Sequence, residues 1–388
     1  MSQDIRDFVP PSCDLLALGE PTHQEPAFAR LRNDLFAELV GHGFRSVALE
    51  TDRVAALAVD DYVREGIGTL DTVLREGFSH GFGELDGNRR LIAWMRAYNE
   101  GRAPEERLKF HGFDAPLETM SAPSPRPYLE HAAAYLRHSP APGPDLDFAP
   151  LVGDDERWSR TEAVLDPARS VGDSADAARL RVIADDMLAA LHERAPELIA
   201  ATSRDAWSRA RIHLTAVIGL LRYHREAAQR VEEGARVTRL CVTRDMLMAR
   251  NLLDIRRAEA RRGPTLVFSH NLHLQRNPGT LRMGDTEVNW YGAGAVVASL
   301  EGERYTFVAG SLGRSEAIAL GEPAGHLRGR SATPGRHLGP DPGRRDRGRP
   351  HPYRHHTPAG LFPPGPGDFG RRRRGPAHRG GVKVPAGG

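Results

Sequence analysis

The chain has 388 residues, enough for roughly two or three ordinary domains and for a core that needs no disulfide staples. Its two cysteines, Cys13 and Cys241, lack metal-ligand spacing, which excludes a disulfide scaffold or zinc finger and fits a reducing cytoplasm. The net charge of +2 is uneven: residues 325–388 hold 13 Arg, 1 Lys and 3 Asp, a net of +11, so the rest carries 39 bases against 48 acids, a net of −9. An acidic body argues against nucleic acid as its partner.

No apolar run approaches the ~20 residues that span a bilayer, and MSQDIRDFVP has no basic and apolar leader pattern. The expectation is a cytoplasmic protein with no membrane partner.

Along the chain, Asp14 to Glu20 (DLLALGE) reads as a short buried strand. A helix follows, with Phe28, Leu31, Leu35 and Leu39 at helical spacing, ended by Gly41 and Gly43. Thr22 as N-cap and Glu25 three residues on would form a capping box for it. Arg45 to Glu50 (RSVALE) is the next strand, and Thr51 or Asp52 could cap the helix after it. NRRLIAWMRAYNEG is helical, with Leu91, Trp94, Met95 and Tyr98 suited to core packing. Leu108 to Asp114 (LKFHGFD) and Thr265 to His270 (TLVFSH) read as strands, and AVVASL with YTFVAG as a closing hairpin.

Strands alternating with helices predict an α/β fold, a mostly parallel sheet covered by helices. Residues 1–116 and 263–324 form its two parts. Residues 117–262 carry long amphipathic helices without a convincing strand and read as a large helical insertion, broken by Pro140, Pro142, Pro144 and Pro196. Residues 325–388 contain 15 Gly and 11 Pro but only 8 Leu, Val, Phe or Tyr, the composition of a disordered basic tail. The change near Ser331 also fits a frameshift in a GC-rich gene. The Arg371 to Arg374 run reads as a solvated charge cluster.

Four strands end in polar residues: Glu20, Glu50, Asp114 and His270. Ligands in open α/β sheets bind outside the carboxyl ends of strands, so these residues mark a candidate rim. In LGEPTH, Glu20 can orient His23, and an imidazole of pKa ~6.5 can take a proton from water near neutral pH. In HNLH, His270 and His273 could converge on a metal if the turn is helical, or one could bond the backbone. GFSHG (Gly77 to Gly81) matches a nucleophile elbow around Ser79, yet a helix precedes it where a strand is required. His80 is then a residue of the pocket edge. Arg244 and Asp245, read as opening the last helix before HNLH, suit a substrate contact or a salt bridge.

LALGEPTH, Arg32 nine residues after His23, VALE, GNRRLIAWMRAYN, FHGFD, VTRDMLMARNLL and VFSHNLH together resemble the erythromycin esterase family, which includes proteins labelled succinoglycan biosynthesis. The resemblance covers residues 14–324 and fades near Pro323. It implies a metal-independent esterase, without cofactor, that opens a macrolide-type lactone or another small-molecule ester by attack of water. His23 matches the general base, Glu20 and Glu50 the acids, Arg32 the arginine and His270 the late histidine. Asp114, His80, Arg244 and His273 would complete a substrate-binding rim. Pro21, Gln24 and GFSHGFG depart from the family pattern, which bears on specificity more than on hydrolysis. Competing readings are a metal-dependent hydrolase using Glu20, His23, His270 and His273, a serine esterase through Ser79, a tailoring enzyme that forms or transfers an ester, and a non-catalytic small-molecule binding protein.

Overall fold

A computed structural model describes residues 9–138, 146–283 and 286–312. The basic tail with its Arg371–Arg374 run, the change at Ser331, and Pro140, Pro142 and Pro144 lie outside the described residues.

The chain begins β1 (Leu15–Glu20), α1 (Pro26–Val40), β2 (Ser46–Asp52), α2 (Ala56–Glu65), α3 (Leu70–Glu76), α4 (Asp86–Asn99) and β3 (Lys109–Asp114). Helices alone follow among the described residues: α5 (Arg126–Leu136), α6 (Ala149–Val152), α7 (Glu156–Ser159), α8 (Thr161–Leu165), α9 (Ala175–Glu193), α10 (Ala195–Ala201), α11 (Arg204–Ala227) and α12 (Glu233–Glu259). The chain then forms β4 (Thr265–His270), α13 (Asn271–Leu274), β5 (Gly279–Met283), β6 (Thr286–Trp290), α14 (Ala293–Glu301) and β7 (Tyr305–Val308).

Five strands form a sheet in the order β3-β2-β4-β1-β7, every pair parallel. Parallel strands covered on both faces must be apolar throughout, and all six residues of β1 are buried. Side chains alternate between two cores. Leu16, Leu18, Val47, Leu49 and Phe268 meet Phe36 and Leu39 of α1, Val59 of α2 and Ile92 and Met95 of α4. Leu15, Ala17, Ala48, Phe113 and Val267 meet Met248, Leu252 and Ile255 of α12 and Val297 of α14. Burying each such Leu or Ile contributes about 1.5–3 kcal/mol. A further core lies among α5, α9 and α11, where Trp158 is buried and its indole N–H donates to Val152 O. No described helix is long and apolar enough to cross a membrane.

Several local expectations change. AVVASL is not a strand but the body of α14, capped by Gly292 and stopped at Gly302, where φ is 61°. A short apolar run does not distinguish strand from helix by periodicity, and alanine favours the helix here. YTFV then pairs parallel with β1, so no closing hairpin forms. The hairpin is β5–β6, flanking a Gly–Asp dipeptide in the sequence. Helix α1 starts later than the capping-box reading, because Pro26 suits the first turn and Glu25 caps it by accepting from Ala27 N–H. Thr22 Oγ1 accepts from Gln24 N–H instead. Thr51 and Asp52 end β2, and the N-cap of α2 is Ala55; Asp52 Oδ1 accepts from Val54 N–H at 2.7 Å in the turn before the helix. Trp94 packs edge-on against Phe36, as its helical spacing suggests.

One stability prediction arises in the helical core. His224 is fully buried, its Nε2 donates to Pro123 O at 2.9 Å, and its ring stands edge-on to Trp158. Burial pushes its pKa down to about 4. The unfolded chain therefore takes up this proton first, near pH 6.5. Stability from neutral His224 is complete above that pH and drains as pH falls towards about 4, by on the order of 3 kcal/mol. Denaturant unfolding should show a smaller loss between pH 6.5 and 4 in His224→Gln than in the wild type. Equal losses would remove His224 from the acid response.

Candidate active site

The sheet order places the polar strand ends on neighbouring strands. In β1 and β4, Glu20 and His270 stand in register. Next to β4, β2 carries Glu50, and next to β2, β3 ends at Asp114. Between Leu49 and Asp52 the β2–β3 register shifts by one residue, spanning Glu50 and Thr51. Such a bulge re-aims side chains. Gly112 permits it, since a Cβ there would strike the Thr51 and Asp52 carbonyl oxygens. Gly19 serves similarly: a Cβ would collide with the Asn271 side chain, which bonds Gly310 in both directions.

His23 Nδ1 lies 2.7 Å from Glu20 Oε1, and Glu20 is buried. An ionised carboxylate only accepts, so the bond places the proton on Nδ1 and leaves Nε2 with its lone pair. Nε2 stands 3.7 Å from Glu50 Oε2. The ring keeps 28% of its side-chain surface exposed and lies against Phe82, with centroids 4.9 Å apart.

Glu50 is the hub. Arg244 Nη2 donates to Oε1 at 3.0 Å, while Ser269 Oγ donates at 2.5 Å and His270 N–H at 3.2 Å to Oε2. His273 Nε2 stands 3.6 Å from Oε1. Burial opposes ionisation of Glu50, but His23, His273, Arg244 and Ser269 outweigh it and hold the carboxyl well below the usual range. Burial likewise disfavours protonated His23, but Glu50 and Glu20 prevail and raise its pKa. Burial raises the pKa of Glu20 despite the His23 bond.

A cleft of about 170 Å³ opens above the pair. Glu20, His23, Arg32 and Glu50 line it, with Phe78, Phe82, Leu85 and Phe268 as its apolar wall. Arg32 is buried and tied to Asn33, Asn88 and Gly87, with its guanidinium 4.9 Å from the Phe268 ring centre. Burial lowers its pKa to about 10, against the pull of Glu20, so it remains a cation at neutral pH. Asn88 Nδ2 also holds Phe82 O at 2.8 Å, linking the aromatic wall to Arg32.

The other expected residues do not line this cleft. Asp114 is fully buried and bonds Arg244 through Nε and Nη2 and His80 through Nε2. Burial is outweighed by Arg244 and His80, and its pKa drops to about 2. His80 adopts φ 59°, uncommon outside glycine, with its N–H on Glu118 and its ring on Asp114. His270 uses both ring nitrogens on the backbone: Nδ1 accepts from Leu272 N–H and Nε2 donates to Pro21 O. Burial and neighbouring His23 and His273 push its pKa down to about 4. Arg244 and Asp245 sit in the middle of α12, not at its start. Ser269 and Asn88 were not anticipated. Both lie within the VFSHNLH and GNRRLIAWMRAYN segments, but their partners Glu50 and Arg32 are distant in sequence, so their roles could not be read from spacing.

The four candidate metal ligands do not form a cage. His270 has both nitrogens on backbone groups, and His273 Nδ1 bonds Asp245. Among the described residues no group of three or more His, Cys, Asp or Glu is arranged to hold a metal. Ser79 is buried after α3, where its Oγ accepts from Asp52 N–H at 3.0 Å and lies 3.3 Å from Thr51 Oγ1. It follows a helix and not a strand, so no nucleophile elbow forms. Ser79→Ala is expected to cost about 1 kcal/mol of stability while hydrolysis persists within a few-fold. A dead but folded variant would restore Ser79 as nucleophile.

The family model described as erythromycin esterase matches residues 40–337. The chain belongs to the erythromycin esterase family. The match includes Glu50, His80, Asp114, Arg244, His270 and His273, starts after Glu20, His23 and Arg32, and runs past Pro323. No curated protein matches the sequence. Among solved structures, a Bacillus cereus protein superposes with TM-score 0.56 at 19% identity, covering 79% of this chain and 67% of its own. A mutant of the erythromycin esterase EreC in its open conformation gives TM-score 0.55 at 20% identity, covering 79% and 73%. At these identities the likeness is one of fold.

Proposed function

We propose that this family member hydrolyses a carboxylic ester or lactone with water activated by His23. The observation that carries the reading is the Glu20–His23 pair at 2.7 Å on the wall of an open cleft, with Nε2 beside Glu50. Nε2 takes a proton from water while the oxygen attacks the carbonyl carbon. Glu20 keeps the tautomer, and ionised Glu50 stabilises the imidazolium. Arg32 supplies positive charge for the oxyanion. As the tetrahedral intermediate collapses, Nε2 returns the proton to the leaving alkoxide, and the acid and alcohol depart. His270 contributes by holding the Pro21 carbonyl and thus the turn carrying His23. His80, Asp114, Arg244 and His273 act through Glu50; none of them lines the cleft, so this role replaces the substrate contact expected for them.

The aromatic wall suits a substrate with an apolar flank, and family membership makes macrolide-type lactones the first class to test, beside simpler lactones and esters. The protein would be incubated with such a panel in the presence of a chelator and the products weighed. A gain of one water is expected. An acyl product on an added alcohol without water gain would instead mean transfer. Intact ligand bound tightly by folded protein would mean a binding protein.

A further inference from the structure

We propose that Asp245 is a positioning residue for this reaction, holding His273 so that its ring sets the charge balance of the Glu50–His23 pair. The role presupposes His23 as the base.

Two carboxylate–imidazole dyads converge on Glu50. In one, Glu20 holds His23 Nδ1 at 2.7 Å and Nε2 stands 3.7 Å from Oε2 of Glu50. In the other, Asp245 Oδ1 accepts from His273 Nδ1 at 2.9 Å and Nε2 stands 3.6 Å from Oε1. His23 meets the cleft, whereas His273 does not line it. The second dyad therefore acts through Glu50 and through the charge of His273 on His23. Asp245 is 1% exposed, and it also accepts from Trp290 Nε1 at 2.6 Å and Ala293 N–H at 2.8 Å. These bonds anchor it to β6 and to the start of α14, so the carboxylate cannot swing from His273.

The charged neighbours of His273 are Asp245 and Arg244 on α12, Glu50 on β2, and the rings of His23 and His270. Burial disfavours its protonated form, but Asp245 and Glu50 overcome this and raise its pKa. A charged His273 partly neutralises Glu50 as seen by His23, and its own charge lowers the His23 pKa. Losing that charge should move the acid limb of the pH–rate profile upward. This is opposite to the effect of neutralising Glu50.

The test follows the ring signals of His273 by NMR and the pH dependence of kcat/KM in wild type, Asp245→Asn, His273→Gln and the double variant. In Asp245→Asn the His273 pKa is expected to fall, the acid limb to rise by about half a pH unit, and kcat/KM to drop about 10–100-fold. His273→Gln should shift the limb similarly, and the double variant no further. An unchanged His273 titration in folded Asp245→Asn, or additive shifts in the double variant, would overturn the role. If Asp245→Asn does not fold, a limb unmoved in His273→Gln overturns it. Full activity in His23→Ala would instead refute the base assignment, while the NMR titration still reports on the Asp245–His273 pair.

Discussion

His23→Ala is expected to lower kcat/KM for a hydrolysed ester by about 10²–10⁴-fold, the usual contribution of a general base. The wild-type pH profile should carry the matching signature. A base works in its neutral form, and the carboxylates around His23 favour the protonated one. Activity must therefore fall as pH drops through a value above 6.5. Glu50 is the foremost group raising the His23 pKa. Glu50→Gln should thus move the acid limb to lower pH even as it slows the reaction. A limb that stays put in Glu50→Gln, or moves upward, would mean that Glu50 does not govern the charge of His23.

The second large effect is on stability. Arg244 bonds fully buried Asp114 at 2.6 Å through Nη2 and Glu50 at 3.0 Å through the same atom. Arg244→Met would leave two buried carboxylates without this cation. Removing one partner of a buried ion pair typically costs about 3–5 kcal/mol, and denaturant unfolding should show that loss. Adding Asp114→Asn should recover part of it, because one uncompensated charge is then gone. A loss under about 1 kcal/mol in Arg244→Met would mean that water solvates these groups as exposed pairs are solvated.

Much of the site was legible because its signal is local. An apolar run ending in an acid or His reads as a buried strand delivering a polar group; Glu20, Asp114 and His270 end their strands, and Glu50 lies two residues before the end of β2. Glu20 and His23 are three residues apart, so their pairing needs only a turn. The meeting of Glu20 and Glu50 on either side of His23 is different. It depends on β4 entering between β1 and β2, a pairing across more than 200 residues that no local pattern encodes. The pairings of Ser269 with Glu50 and Asn88 with Arg32 were hidden for the same reason. The role of His270 turned on which hydrogen bonds its ring makes, and those depend on the Pro21 turn. The reading of Arg244 at a helix start failed because α12 continues eleven residues toward its N-terminus, where Glu232 caps it through Gly234 and Ala235 N–H. α14 was misread because six apolar or small residues satisfy either period.

The most direct measurement is a single turnover of a lactone in ¹⁸O-labelled water, with the chelator present and product acid analysed by mass. Direct attack of water activated by His23 predicts one ¹⁸O in the carboxylate on the first turnover by the wild type, and almost none formed by His23→Ala. An unlabelled acid on the first turnover, or equal labelling by His23→Ala, would contradict it.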